Sequence, residues 1–174
     1  MKSASIQQIE GMDDFRLLRF FNFFTNTLFN NVNTELEEIT AQVPEGIKNM
    51  PELETVLKHE EQYYKPIEQK EAIEFARTSF LEMANDENTE PALAEAIKNY
   101  RDPEQPAGVI LALGAAVSFI LLLSTSKIKY QSGKGWEINV GGNRDPKELE
   151  SVTALIKELF KVIPNSILEL TKTK

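Results

Sequence analysis

The sequence predicts an α+β fold that is predominantly α: a helical bundle, one long apolar helix, a β-hairpin and a C-terminal amphipathic helix. Three observations lead to this class. Apolar residues recur every three or four positions over much of residues 15–100, which is the period of a helix. The residues from 107 to 126 carry no charge. From residue 127 the apolar period becomes two, which is typical of a strand.

The most regular helical pattern runs from about Phe15 to Gln42, and Asp13 or Asp14 can cap its start. Phe20 and Phe23 fall outside the main apolar stripe, so this helix has a wider apolar face than one neighbour needs. Either the helix packs centrally in the bundle, or the two rings contribute to a self-association or membrane-surface face. The main stripe consists of Leu17, Phe21, Phe24, Leu28, Val32, Leu36, Ile39 and Val43.

Three shorter helices follow in the acidic part of the chain. Asn49 is placed to cap the first, which Pro66 ends, and the next two cover 67–84 and 89–100. Short polar connections join them, so residues 1–103 are interpreted as an acidic helical bundle. The predicted buried face of the helix over 67–84 consists of Ala72, Phe75, Ala76, Ser79 and Met83.

The apolar stretch from 104 to 125 has two interpretations. Asp102 is a candidate N-cap and Pro103 a candidate first helical residue. Apolar side chains all round the helix, followed at once by Lys127, favour a membrane span. The wide apolar faces of the other helices favour a buried central helix over 108–123 instead.

Small residues recur every four positions on this stretch, at Gly108, Ala112 and Ala116. In a membrane such spacing lets helices pack closely in an oligomer, whereas in a bundle it only allows two helices to approach each other. These three residues, with Phe20 and Phe23, are the candidate interaction residues.

Residues 126–174 are predicted to form a hairpin and a covering helix. Gly133 and Gly135 supply the turn. Asp145 caps an amphipathic helix that runs to Ile163 and covers the hairpin's apolar face, because an isolated hairpin is marginally stable. The apolar strand positions are Ile128 and Tyr130 in the first strand and Trp136, Ile138 and Val140 in the second.

Charge and composition exclude several functions. Residues 1–106 carry 10 Lys and Arg against 21 Asp and Glu, while 107–174 carry 9 against 6, so the larger part repels a nucleic-acid backbone. There is no Cys, and the single His59 has Val56 where a dinuclear site would need Glu. Ser132–Gly135 lacks phosphate-loop spacing. We expect no catalytic residue, no cofactor, no metal site and no enzyme activity.

The order of elements over residues 107–161 resembles the small effector-associated component domains of bacterial conflict systems. An apolar helix, a short basic step, a hairpin and a helix of the form "NRDPKELESVTALIKELF" carry the resemblance. It implies an adaptor or effector-partner role in a multi-component system.

Together these features predict a non-enzymatic interaction or regulatory protein that binds a protein partner or itself. In the form we favour, it is a membrane-anchored adaptor with its span at 104–125. In the alternative it is a soluble, cytoplasmic α-rich binding module with 108–123 as its core helix. An enzyme with a carboxylate-based site is a distant third hypothesis.

Overall fold

The computed structural model describes residues 3–32, 36–43, 45–51, 54, 58, 65–87, 89–104, 111–131, 134–140, 150 and 157. Within these residues helices dominate and one antiparallel hairpin follows them, which confirms a predominantly helical α+β fold. The helices are α1 (Ala4–Glu10), α2 (Asp14–Asn30), α3 (Leu36–Ala41), α4 (Glu45–Lys48), α5 (Gln69–Asn85), α6 (Glu90–Asn99) and α7 (Leu113–Thr125), and the strands are β1 (Ser126–Gln131) and β2 (Gly135–Val140).

Helix α2 begins where its cap predicts and ends earlier than its apolar pattern does. The Asp13 carboxylate accepts a hydrogen bond from the Arg16 amide at 2.9 Å. The single helix expected from Phe15 to Gln42 is wrong, because Asn31 and Val32 are not helical. The Asn31 side chain donates to the Thr27 carbonyl at 2.7 Å, and such side-chain bonds compete with helix propagation.

Polar contacts attach α1 to the two helices it packs against, α5 and α6. The Ser5 hydroxyl donates to the Glu90 carboxylate at 2.8 Å. The Arg77 guanidinium donates to the Ile9 carbonyl at the end of α1 and to Asp14 at the start of α2. Arg77 therefore holds the turn between the first two helices against α5.

Aromatic rings fill the centre of the bundle. The ring of Phe21 lies 5.7 Å from that of Phe75, 5.5 Å from that of Phe80 and 5.1 Å from that of Phe119, all edge-on. Edge-to-face contacts of this kind add to the stabilisation that burial provides. Helices α2, α5 and α7 thus share one core, and the predicted face of α5 is buried as expected.

Helix α7 starts later than the sequence predicts. Pro103, Glu104 and Leu111 are not helical, and Ala112 is extended, so the helix begins at Leu113. The Leu111 carbonyl accepts a hydrogen bond from the Ile67 amide at 2.8 Å, which keeps it outside the helix. The start predicted at Asp102 and Pro103 is wrong.

Two features of the Asp102 region explain the later start. Its carboxylate is bound by side chains of other elements and is not available as a cap. In addition, Pro106 has no amide hydrogen to donate to the Asp102 carbonyl in the first turn of such a helix.

Most of the described side chains of the apolar stretch are buried within the protein. Val117, Phe119, Ile120 and Leu122 have no exposed surface. No helix among the described residues combines the length and the apolar character needed to cross a bilayer. The span expected over residues 104–125 is therefore not found there.

The hairpin has the predicted faces. Ile128 pairs with Ile138 and Tyr130 with Trp136, so these four side chains share one face. The Trp136 ring contacts that of Phe24 edge-on at 6.1 Å between centroids, which joins the hairpin to the core. Gly135 has a φ of 86°, a conformation that favours glycine at this turn.

Most of the predicted C-terminal helix lies outside the described residues. Within it, Glu150 and Lys157 alone are described, and both are helical. The division into units at 1–103, 104–125 and 126–174 remains a prediction. Residues from the first two and from β1 contribute to the same hydrophobic core.

Candidate interaction surface at the start of α2

The start of α2 presents an aromatic ring to solvent. Phe15 is 54% exposed, and it is the large apolar residue that stands out on the described surface. Asp14 and Arg16 flank it in sequence, with side chains 59% and 42% exposed. We call Asp14, Phe15 and Arg16 the α2 patch. Successive residues of a helix are about 100° apart around its axis, so Asp14 and Arg16 lie on opposite sides of Phe15.

Beside the α2 patch lies a compact ionic cluster centred on Asp102, which we call the Asp102 cluster. The Arg19 guanidinium donates to both carboxylate oxygens, from Nε to Oδ1 at 3.0 Å and from Nη2 to Oδ2 at 2.9 Å. The Tyr100 hydroxyl donates to Oδ1. Arg16 adds a weaker contact from Nη1 to Oδ2 at 3.5 Å. Bidentate arginine pairing fixes geometry as well as adding energy, so this cluster attaches the chain after α6 to α2.

The ring of Tyr100 extends the cluster into the core. It lies 5.3 Å from the Phe20 ring and 5.2 Å from the Phe23 ring. The guanidinium carbon of Arg16 lies 5.7 Å from the centre of the Tyr100 ring, within the range of a cation–π contact. Arg16 thus contacts the Tyr100 ring and the Asp102 carboxylate while its side chain remains partly exposed.

The pKa values of the cluster move away from neutrality. The hydrogen bonds from Arg19 are the largest cause that lowers the pKa of Asp102 from 3.8 to about 2. Burial is the largest cause that raises the pKa of Tyr100, followed by its hydrogen bond to Asp102. The hydrogen bond to Asp102 likewise raises the pKa of Arg19. A general acid or base that works near pH 7 needs a pKa near 7, so these shifts suit a structural role.

The candidate interaction residues occupy different environments. Phe20 and Ala116 have no exposed surface, so in this structure they contact only their own chain. Phe23 and Ala112 are half-buried. Gly108 lies outside the described residues. Whether any of the five contacts a partner remains a prediction.

Sequence reasoning missed Phe15. The residue precedes the main apolar stripe, which begins at Leu17. Leu18, about 60° from Phe15 around the helix, is buried, so helical position alone does not show that Phe15 is exposed. The pairing of Arg19 with Asp102, 83 residues apart, has no local signal either.

The remaining candidate chemistry is sparse. Among the described residues, no group of three His, Asp or Glu is close enough to hold a metal ion. His59 lies outside the described part of the chain, as do Ser132 and Gly133 of the turn.

Comparison of the chain with protein-family models, with curated proteins and with solved structures finds no match.

Proposed function

We propose that this chain is a non-enzymatic interaction protein, a mostly helical binding module that presents the α2 patch to a protein partner. The exposed ring of Phe15 carries the proposal. Burying a phenylalanine side chain stabilises a contact by about 1.5–3 kcal/mol, so a partner with a matching apolar pocket would gain from covering it. Aromatic and arginine side chains are also the types that concentrate binding energy in protein interfaces.

The contacts that hold the two charged side chains of the α2 patch support a binding role. Asp13 caps the helix just before the ring, and Arg77 holds Asp14 at 3.1 Å from the opposite side. Tyr100 and Asp102 restrain Arg16. A surface that is ordered before binding loses less conformational freedom on association, which favours affinity.

The burial of α7 favours the second of the two forms that the sequence suggests. The side chains of residues 116, 117 and 119–123 pack into the same core as α2 and α5. We therefore propose a module that uses this helix as part of its core, and we propose no membrane span.

An adaptor role in a multi-component bacterial system extends this proposal. It rests on the pattern over 107–161, of which residues 111–131, 134–140, 150 and 157 are described. The first two of these ranges form an apolar helix followed by a hairpin. An adaptor needs a binding surface and no catalytic centre, which fits a cluster whose ionisable groups satisfy one another.

The test compares three versions of the full chain as tagged baits in the cells that encode it: the natural chain, Phe15→Ser and Lys134→Ser. Lys134 is exposed in the hairpin turn, so its variant introduces the same side chain at a site remote in sequence from α2. Recovered proteins are cross-linked and quantified, and an untagged copy of the chain is counted among them.

We expect at least one protein that the natural bait and Lys134→Ser recover equally and that Phe15→Ser recovers about tenfold less. Circular dichroism and thermal unfolding check that both variants fold. Equal recovery of every protein by folded Phe15→Ser and by the natural chain would disprove a binding role for this surface.

A further inference from the structure

We infer that the partner at the α2 patch is a second copy of this chain, an inference that rests on the proposed binding role of this surface. The geometry of three consecutive residues points to it. Phe15 lies at the centre of the patch, Asp14 lies on one side and Arg16 on the other. An acid and a base on opposite sides of an apolar residue make a surface that is complementary to itself.

The symmetry follows from this arrangement. The two-fold axis of such a dimer runs roughly parallel to α2 and passes over Phe15. Rotation about this axis exchanges the two sides of the helix, because residues one position apart diverge by about 100°. The operation brings Arg16 of each copy opposite Asp14 of the other and places the two Phe15 rings against each other. Each contact is made twice, as in an isologous interface.

The bonding of these side chains within one copy leaves capacity for the second. Arg16 has five guanidinium N–H donors, and its contact with Asp102 is a long one, 3.5 Å from Nη1 to Oδ2. Asp14 is bound through Oδ1 by Arg77 at 3.1 Å. Exposures of 42% for Arg16 and 59% for Asp14 leave both able to reach a neighbouring molecule.

The contact is small, so the association it supports is weak. Two aromatic rings and two ion pairs in total bury far less than the roughly 1,200 Å² of a stable interface. Two copies that each carry a net charge of −8 also repel each other at long range, and salt screens this repulsion. The dimer is therefore expected at high micromolar concentration and at physiological ionic strength.

Charge exchange tests the inference with the purified full chain. Sedimentation velocity over a concentration series compares the natural chain with Asp14→Arg, Arg16→Asp and the two single variants mixed in equal amounts. Each single variant places like charges opposite each other in its own dimer, so the dissociation constant should rise at least about tenfold. In the mixture, one chain carries arginine at both positions of the patch and the other carries aspartate at both. Opposite charges then meet across the axis, and a heterodimer should form.

Two controls separate fold from binding. Lys134→Asp changes charge at an exposed site remote in sequence from the patch and should dimerise like the natural chain. Recovery in the mixture also shows that both single variants are folded, because an unfolded variant could not supply its half of the contact. Introduction of Phe15→Ser into both variants should abolish that recovery.

The outcomes distinguish this inference from the proposed function. The inference of a second copy as partner is overturned if the natural chain stays monomeric over the whole series. It is also overturned if the mixture fails to associate when both variants are folded. If Phe15→Ser still loses a different protein in the capture experiment, the binding role of the patch stands without self-association.

Discussion

Helices α2 and α7 both follow an aspartate that the sequence marks as a cap, and the two aspartates have different roles in the structure. Asp13 caps α2 through the Arg16 amide. Asp102 instead binds Arg19, Arg16 and Tyr100, and α7 begins at Leu113 without a side-chain cap. The comparison shows that a local capping signal can fail when a distant side chain binds the same carboxylate.

The largest effect is expected where the two helices meet, at the contact between Phe21 and Phe119. Phe21→Ala removes a fully buried ring that touches three others, so the free energy of unfolding should fall by about 3–5 kcal/mol. Urea denaturation measures this free energy. Phe15→Ala, in the first turn of the same helix, should change the free energy of unfolding by less than about 0.5 kcal/mol because the Phe15 ring is exposed. A similar loss in both variants would contradict the packing of α2 described above.

A smaller effect is expected from the packing of α7 itself. Ala116 is fully buried and Ala115 is exposed, although they are neighbours on the helix. Ala116→Leu should reduce the free energy of unfolding by about 1–3 kcal/mol, because three added carbons have no space in a close-packed core.

The matched variant Ala115→Leu should unfold within about 0.5 kcal/mol of the natural chain. If Ala116→Leu were as stable as the natural chain, the side of α7 that carries Ala116 would not be packed as the structure places it.

The smallest effect concerns the Asp102 cluster and its dependence on pH. The folded state lowers the pKa of Asp102 to about 2, below its ordinary value of 3.8, so its contribution to stability is present above about pH 4 and is lost as pH falls toward 2. The side chain is 22% exposed, so solvent screening reduces this contribution to about 1 kcal/mol.

The measurement is the difference in unfolding free energy between the natural chain and Asp102→Ala at a series of pH values. The difference should be constant from pH 7 to about pH 4 and shrink below it. Because other carboxylates titrate in both proteins, the comparison isolates Asp102. A difference that does not change down to pH 2 would mean that the ion pair with Arg19 contributes nothing.

The sequence was sufficient for elements whose signals are local. The period of apolar residues located α5 and the beginning of α2, and the alternation after Lys127 located the two strands with their shared face. These signals follow from the spacing of residues that are close together in the sequence.

Signals that depended on distant partners failed. Nothing near Asp102 indicates that Arg19, 83 residues earlier, binds its carboxylate. Nothing near Leu111 indicates that the Ile67 amide binds its carbonyl. The apolar character of residues 107–126 could not distinguish a lipid environment from a protein core, because both exclude water from the same side chains. The aromatic rings of α2 and α5 supply that environment for the described part of α7.

The candidate site also depended on distant contacts. Phe15 and Phe20 both fall outside the main apolar stripe of α2, yet Phe15 is 54% exposed and Phe20 is fully buried. Phe20, which falls outside the main stripe, is fully buried because Phe80 and Tyr100 cover it from α5 and from the chain after α6. Its burial required the arrangement of three segments, and periodicity within one segment could not show it.

The hydrogen bond between Ser5 and Glu90 has a consequence for synthesis of the protein. These residues are 85 positions apart, and α1 packs against α5 and α6, so its partners are made long after it. At about 5–20 residues per second, a ribosome needs roughly 4–17 s to reach Glu90 after it has added Ser5. A seven-residue helix is too short to be stable alone in water, so we expect α1 to become stable only after α5 and α6 have been made and it can pack against them.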